Sequence, residues 1–158
     1  MNESIWEPDF QRLKAVLAGE IPDRVPNFEI LMEDRNVSAL LGYNAGNTLC
    51  GGRGASEKSF VTPPMDPNDY IKLCMITGQD AIALEALWAP CKFKDEKGDL
   101  HIIEEGHVNT WEKFEKIIWP DWEHDYKPKL DDIKSYVDAV KGTPIGVTMM
   151  SGCFFQYC

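Results

Sequence analysis

The chain has 158 residues, enough for one domain with a real core, and at 44% hydrophobic it reads as a folded globular protein, not a disordered one. A formal net charge of −10 speaks against a nucleic-acid-binding face, because phosphate contacts need clustered Lys and Arg. The most apolar stretches, Ala81–Pro90 and Ile145–Phe155, fall short of the roughly 20 residues a membrane-spanning helix needs.

Met1-Asn2-Glu3-Ser4 lacks the basic start and apolar run of a secretory signal, so a cytoplasmic protein is expected. The cysteines, Cys50, Cys74, Cys91, Cys153 and Cys158, are odd in number and form no C-x-x-C pair. They read as reduced thiols, with neither a disulfide framework nor a zinc knuckle.

In chain order, Phe10, Leu13, Val16 and Leu17 fall on one helical face, and Gly19 supplies a stop. Pro22-Asp23 makes a turn into an apolar strand, Val25–Leu31, with Pro26 near its start, where a missing N–H is tolerated. Asn44–Pro64 is polar and Gly-rich and reads as a long loop. Gly51-Gly52-Arg53-Gly54 within it has no strand before it and no helix after it, so it reads as loop and not as a nucleotide cradle.

A second helix is well punctuated. Asp66 suits the N-cap, Pro67 the first helical position and Asp69 the first turn. Tyr70, Leu73, Cys74 and Ile76 make its buried stripe, and Gly78 ends it. The strand Asp80–Trp88 follows. Lys92–Lys94 and Leu100–Ile103, on either side of Asp95–Asp99, predict a β-hairpin. Thr110 caps a short helix carrying Trp111, Phe114, Ile117 and Ile118, ended by Trp119-Pro120. Leu130, Ile133, Tyr136, Val137 and Val140 share one face of a last helix closed by Lys141-Gly142, and Ile145–Met150 is the third strand.

Helices alternating with nearly continuous apolar strands predict an α/β fold with a parallel sheet covered by helices. An open doubly wound sheet would carry a Gly-rich phosphate turn after its first strand. Here Leu31 is followed by Met32-Glu33-Asp34-Arg35, so a closed TIM (β/α)8 barrel is the expected architecture. Such a barrel has eight strands and about 250 residues. Residues 1–158 are therefore expected to be its N-terminal part, about three βα units plus a β-hairpin insertion, truncated after the third strand. Self-association is expected, because the last strand presents an apolar edge.

The stretch Arg12-Leu13-Lys14-Ala15-Val16-Leu17-Ala18-Gly19-Glu20-Ile21-Pro22-Asp23-Arg24-Val25-Pro26 resembles the opening of uroporphyrinogen decarboxylase-like proteins, in which a helix leads through a G-E-x-P-D-R-V-P turn into the first barrel strand. Leu41-Gly42, Gly78-Gln79-Asp80-Ala81, the Asp-containing hairpin and Ile118-Trp119-Pro120-Asp121 are similar, in the same order, to that superfamily's less studied branches. The resemblance implies one of two chemistries. One is cofactor-free decarboxylation of uroporphyrinogen III. The other is methyl transfer from a corrinoid protein to a thiol through a zinc-bound thiolate, whose ligands come from the second half of the barrel.

The decarboxylase branch carries an R-Q-A-G-R-Y segment after its first strand, where this chain has Leu31-Met32-Glu33-Asp34-Arg35-Asn36. Two acids there would repel a polycarboxylate substrate. The position at which decarboxylases place an aspartate, late in the second strand, is Leu87. The expectation is a methyltransferase-type enzyme whose full-length parent uses zinc and a corrinoid protein partner on a small-molecule substrate, with no cofactor held by this chain. The alternatives are a uroporphyrinogen decarboxylase and a non-catalytic acidic interaction or ligand-binding domain. His101, His107 and His124 make no zinc pattern with any cysteine and read as surface or loop residues.

Barrel active sites lie at the C-terminal ends of the strands. That rule selects Glu29, Met32 and Glu33 after the first strand, Glu85 and Trp88 after the second, and Ser151, Cys153 and Phe154 after the third. Glu85 is the catalytic candidate, because a charge interrupting an apolar strand is costly unless paired or used. The others are candidate substrate contacts.

Overall fold

A computed structural model describes residues 7–48, 64–86, 92–94, 100–102, 108–116, 122–123 and 127–151. In order these form α1 (Gln11–Leu17), α2 (Asp34–Leu41), α3 (Pro67–Thr77), β1 (Ala81–Ala86), β2 (Lys92–Lys94), β3 (Leu100–Ile102), α4 (Trp111–Glu115), α5 (Lys127–Ala139) and β4 (Gly146–Ser151). β1 and β4 pair in parallel, Ala81 opposite Gly146 through Ala86 opposite Ser151. β2 and β3 form the expected antiparallel hairpin. Mixed α/β architecture with a parallel pair is thus present. Among the described residues no helix is long and apolar enough to cross a membrane.

The core lies between β1 and two helices. Ile82 and Leu84 of β1 meet Leu73, Cys74 and Tyr70 of α3 and Tyr136 of α5, with Val37 of α2, Met65 and Ile145 completing the cluster. Ala81 and Ala83 are buried as well, so β1 is covered on both faces, as the apolar run of a parallel strand requires.

α3 begins as its sequence dictates. The Asp66 carboxylate accepts from the Asn68 amide at 2.8 Å, and Pro67 takes the first turn, where no N–H is needed. Its end needs a left-handed residue, and Gly78 at φ 69° supplies one. α4 is likewise capped by the Thr110 hydroxyl, which accepts from the Lys113 amide at 3.3 Å.

Three sequence expectations change, the first being that Ile76, expected in the buried stripe of α3, is exposed. Among the described residues Val25–Leu31 has no ladder partner and does not form a strand. Pro26 has no amide to give, and the amides of Asn27 and Glu29 are taken by the side chains of Asp80 and Gln79 at 2.7 and 3.1 Å. A single backbone bond, Asp80 N–H to the Asn27 carbonyl at 2.6 Å, fastens the segment beside the start of β1. α1 also differs. Its buried residue is Arg12, while Val16 and Leu17 are exposed, so a charged side chain and not an apolar stripe faces the protein.

α2 begins in the acidic stretch that follows Val25–Leu31, where the sequence pattern announces no helix. Asp34 in its first turn favours the helix dipole, and Gly42 closes it in the left-handed region. On α5, Tyr136 is buried and Ile133 and Val140 pack on the core, whereas Leu130 and Val137 remain about 40% exposed (40% and 42%).

Candidate functional site

The two ends of the β1–β4 pair are built from different chemistry. At the N-terminal end Asp80, fully buried, precedes the first residue of β1. Its Oδ1 accepts from the Asp9 amide (2.7 Å), Arg12 Nη1 (3.0 Å) and Arg24 Nη2 (2.8 Å), and its Oδ2 from Arg24 Nη1 (2.9 Å) and the Asn27 amide (2.7 Å). Arg12 also forks onto Asp23, Nε to Oδ1 at 2.6 Å and Nη2 to Oδ2 at 2.9 Å, and donates to the Glu7 carbonyl at 2.6 Å.

The bidentate Arg12 contact holds the Asp23 carboxyl below the usual carboxylate range, and the same contact raises Arg12 above its ordinary value. Arg24 closes the knot by donating to the Gly78 carbonyl at 2.9 Å. Phe10 lies against this end too: its amide donates to the Pro144 carbonyl at 2.8 Å, and its ring fills the space beside Gly146 where a Cβ would project. This end is a clamp, with every acceptor of a buried carboxylate satisfied, and it has no free group to offer a substrate.

α3 runs antiparallel to β1 and joins it through Gly78–Asp80, so the start of α3 marks the opposite, C-terminal end of the sheet. Here Thr48, 1% exposed, binds both backbone groups of Met32: its hydroxyl accepts from the Met32 amide at 2.9 Å and donates to the carbonyl at 3.2 Å. Asn47 and Pro64 form a parallel bridge, the Met65 amide donates to the Asn47 carbonyl at 2.9 Å, and the Tyr136 hydroxyl donates to the Met65 carbonyl at 2.5 Å. The two ends of the long loop are thereby fastened together beside the cap of α3.

The sequence-selected residues distribute as follows. Met32 is half-buried against the core cluster. Glu29 is exposed, as is Glu33, which pairs with Arg35 at 2.7 Å. Glu85 stands in β1 opposite Met150, and Ser151 ends β4 opposite Ala86, so the register brings these two strand ends side by side. Trp88, Cys153 and Phe154 lie outside the described residues, as do His107 and His124. The sequence reading did not single out Thr48 and Asn47, and it met Gln79 only as part of a motif; all three are buried polar residues, and no buried side-chain nitrogen or oxygen among the described residues lacks a hydrogen-bond partner. Their signal is faint, because a lone Thr or Asn in a polar stretch looks like any surface residue.

Elsewhere, Cys74 is buried and its thiol is pushed up to about 12, by burial first and then by the Asp80 charge, which makes it unreactive. Among the described residues no three His, Cys, Asp or Glu side chains gather as a metal-binding group. No protein-family model, no curated protein and no solved structure matches the chain.

Proposed function

We propose that the chain forms the opening part of a uroporphyrinogen decarboxylase-like (β/α)8 barrel, and that the whole protein is a cytoplasmic, methyltransferase-type member acting with a corrinoid protein. One observation carries this reading. The two stretches that bear the resemblance most closely, Pro22-Asp23-Arg24 and Gly78-Gln79-Asp80-Ala81, meet in space through Asp80 and Arg24 at the N-terminal end of a parallel strand. In a barrel that face serves stability, which leaves the opposite face for chemistry. A motif made of a turn and a distant Asp-Ala pair has a physical reason to recur together.

Charge favours the methyltransferase branch over the decarboxylase. Arg12 and Arg24 are committed to Asp80 and Asp23 at the N-terminal end, and Arg35 is paired with Glu33. Glu29 and Glu33 stand exposed, a poor setting for a substrate with many carboxylates. The described residues do not supply a donor set for zinc, so the reading assigns zinc ligation to none of them. Within it Glu85 is the general base or substrate-orienting carboxylate, with Glu29, Met32, Glu33, Trp88, Ser151, Cys153 and Phe154 around the substrate.

The test is spectroscopic. The protein purified from its native source should demethylate a methylated corrinoid protein in the presence of a thiol, and Glu85→Gln should slow that turnover by about a hundredfold or more while leaving its thermal melt in place. Decarboxylation of uroporphyrinogen III without a corrinoid would transfer the reading to the decarboxylase branch. Inactivity in both assays would leave a non-catalytic domain.

A further inference from the structure

We infer that Thr48 and Gln79 are positioning residues, which hold the main chain at Met32 and Glu29 and thereby aim the side chains of Glu29, Met32 and Glu33. The role rests on the enzyme reading proposed above, which sets those three side chains around the substrate, and it adds two residues that reading does not contain.

Side chains grip the main chain of this stretch from both ends. The Gln79 side-chain carbonyl accepts from the Glu29 amide at 3.1 Å, next to the Asp80 carboxylate, which holds the Asn27 amide at 2.7 Å. Consecutive residues thus hold two amides spaced by two. At the other end the Thr48 hydroxyl accepts from the Met32 amide at 2.9 Å and donates to the Met32 carbonyl at 3.2 Å, so the peptide units on both sides of Met32 are fixed at once. Thr48 and Gln79 are each 1% exposed. In so dry a place water does not readily replace such a bond, and the angle at which it holds the chain is kept.

Each grip is itself braced. The Gln79 side-chain nitrogen donates to the Thr77 hydroxyl at 3.0 Å, which donates to the Leu73 carbonyl at 2.8 Å, so the last turn of α3 orients the Gln79 amide. Thr48 follows Asn47, whose carbonyl accepts from the Met65 amide at 2.9 Å, and the Met65 carbonyl takes the Tyr136 hydroxyl. The stretch is therefore referred to α3 and α5, the helices that build the core.

The consequence falls on the acidic side chains. Met32 packs against the core, and Glu33 follows it as the N-cap of α2, with φ −60° and ψ 138°. A rotation of the peptide units at Met32 would swing the Glu33 carboxylate and the start of α2 together. The exposed Glu29 is set in the same way through its own amide. A misplacement of about 1 Å in a positioning group is enough to cost about a hundredfold in turnover.

Steady-state methyl transfer by the whole protein, with methylcobalamin as donor and 2-mercaptoethanol as acceptor, tests this. Thr48→Val keeps the outline of the side chain and deletes its hydroxyl. It should raise KM for the thiol by about tenfold and leave kcat within about threefold, because contacts displaced in this way act on binding. Thr48→Ser restores a donor and an acceptor and should recover most of the loss. Gln79→Met should raise KM as well, and it carries the test if Thr48→Val fails to fold. Gly146→Ala, which overfills the opposite end of the sheet against Phe10, is the control for mere destabilisation and should leave KM in place. An unchanged KM in both Thr48→Val and Gln79→Met overturns the inference, and so does a KM raised equally by Gly146→Ala or a Thr48→Ser as impaired as Thr48→Val. A parent protein that transfers no methyl group overturns the enzyme reading and this role with it, whereas an active parent with indifferent variants overturns the role alone.

Discussion

At one end of the β1–β4 pair, a buried carboxylate gathers two arginines and two backbone amides. At the other, sequence distances of 16 and 71 residues are closed by single hydroxyls: Thr48 on Met32, and Tyr136 on Met65. Both ends satisfy their buried polar atoms, but they do so at different stakes. The carboxylate end is charged and dry, so removing one member leaves the others uncompensated. The hydroxyl end is neutral, so removing one member costs about a hydrogen bond. Rigidity is thus concentrated where β1 begins.

The sharpest way to break this contrast is Asp80→Ala. It takes the shared carboxylate from Arg24, 13% exposed, and from Arg12, which keeps Asp23, and it leaves the amides of Asp9 and Asn27 without their acceptor. The expected loss is about 3–5 kcal/mol in urea denaturation, with Asn27–Leu31 among the first amides to lose protection from hydrogen exchange. Thr48→Ala, the matching change at the other end, should cost about 1–3 kcal/mol. Equal losses at the two ends would dissolve the comparison.

A smaller effect should follow from Gly146→Ala. The new Cβ would overlap Phe10 Cδ2, so the ring must leave its place at the foot of β4. Overpacking of this kind costs about 1–3 kcal/mol. Phe10 is half-buried and can swing outward, so Phe10→Ala in the same chain should recover part of the loss. A double-mutant cycle measures the coupling, and additivity would mean that Phe10 does not brace the strand.

Much of this was legible beforehand, for local reasons. Asp66, Pro67 and Gly78 specify the ends of α3 through backbone geometry that depends on little beyond the helix itself. The hairpin, and the strand that became Gly146–Ser151, were legible in the same way. Val25–Leu31 was misread because its pattern suits a strand, yet a strand exists only where a neighbour offers backbone groups. The neighbour here offers side chains, Gln79 and Asp80. The inward face of α1 was misread for a related reason: an arginine such as Arg12 is buried only when carboxylates distant in sequence reach it, and Asp80 lies 68 positions away. The selection of Met32 and Ser151 rested on the barrel rule of strand ends, and that of Glu85 on the same rule together with one local signal, a charge inside an apolar strand.

The gentlest probe of the contrast lies on the surface near the cap of α3. The Tyr43 hydroxyl donates to Asp69 at 2.6 Å, while Lys72 donates to Asp69 at 2.8 Å and to the Tyr43 oxygen at 3.2 Å, tying the end of α2 to the first turns of α3. Asp69 first, and Tyr43 after it, raise the Lys72 ammonium to about 12, and Lys72 first, then Tyr43, lowers the Asp69 carboxyl. The signs follow from which form folding favours. Lys72 is protonated more firmly in the folded state, so its contribution is whole below its ordinary value of 10.5 and disappears as pH rises through about 12. Asp69 is ionised more firmly when folded, so its contribution is whole above the ordinary 3.8 and is lost as pH falls through the lowered value. Lys72 is 60% exposed, so the effect is small and salt should shrink it. The measurement is the melting temperature of Lys72→Met subtracted from that of the parent, point by point in pH. The difference should narrow between about pH 10.5 and 12, and again in acid, and a flat difference would show that Lys72 holds α2 to α3 by its methylenes alone.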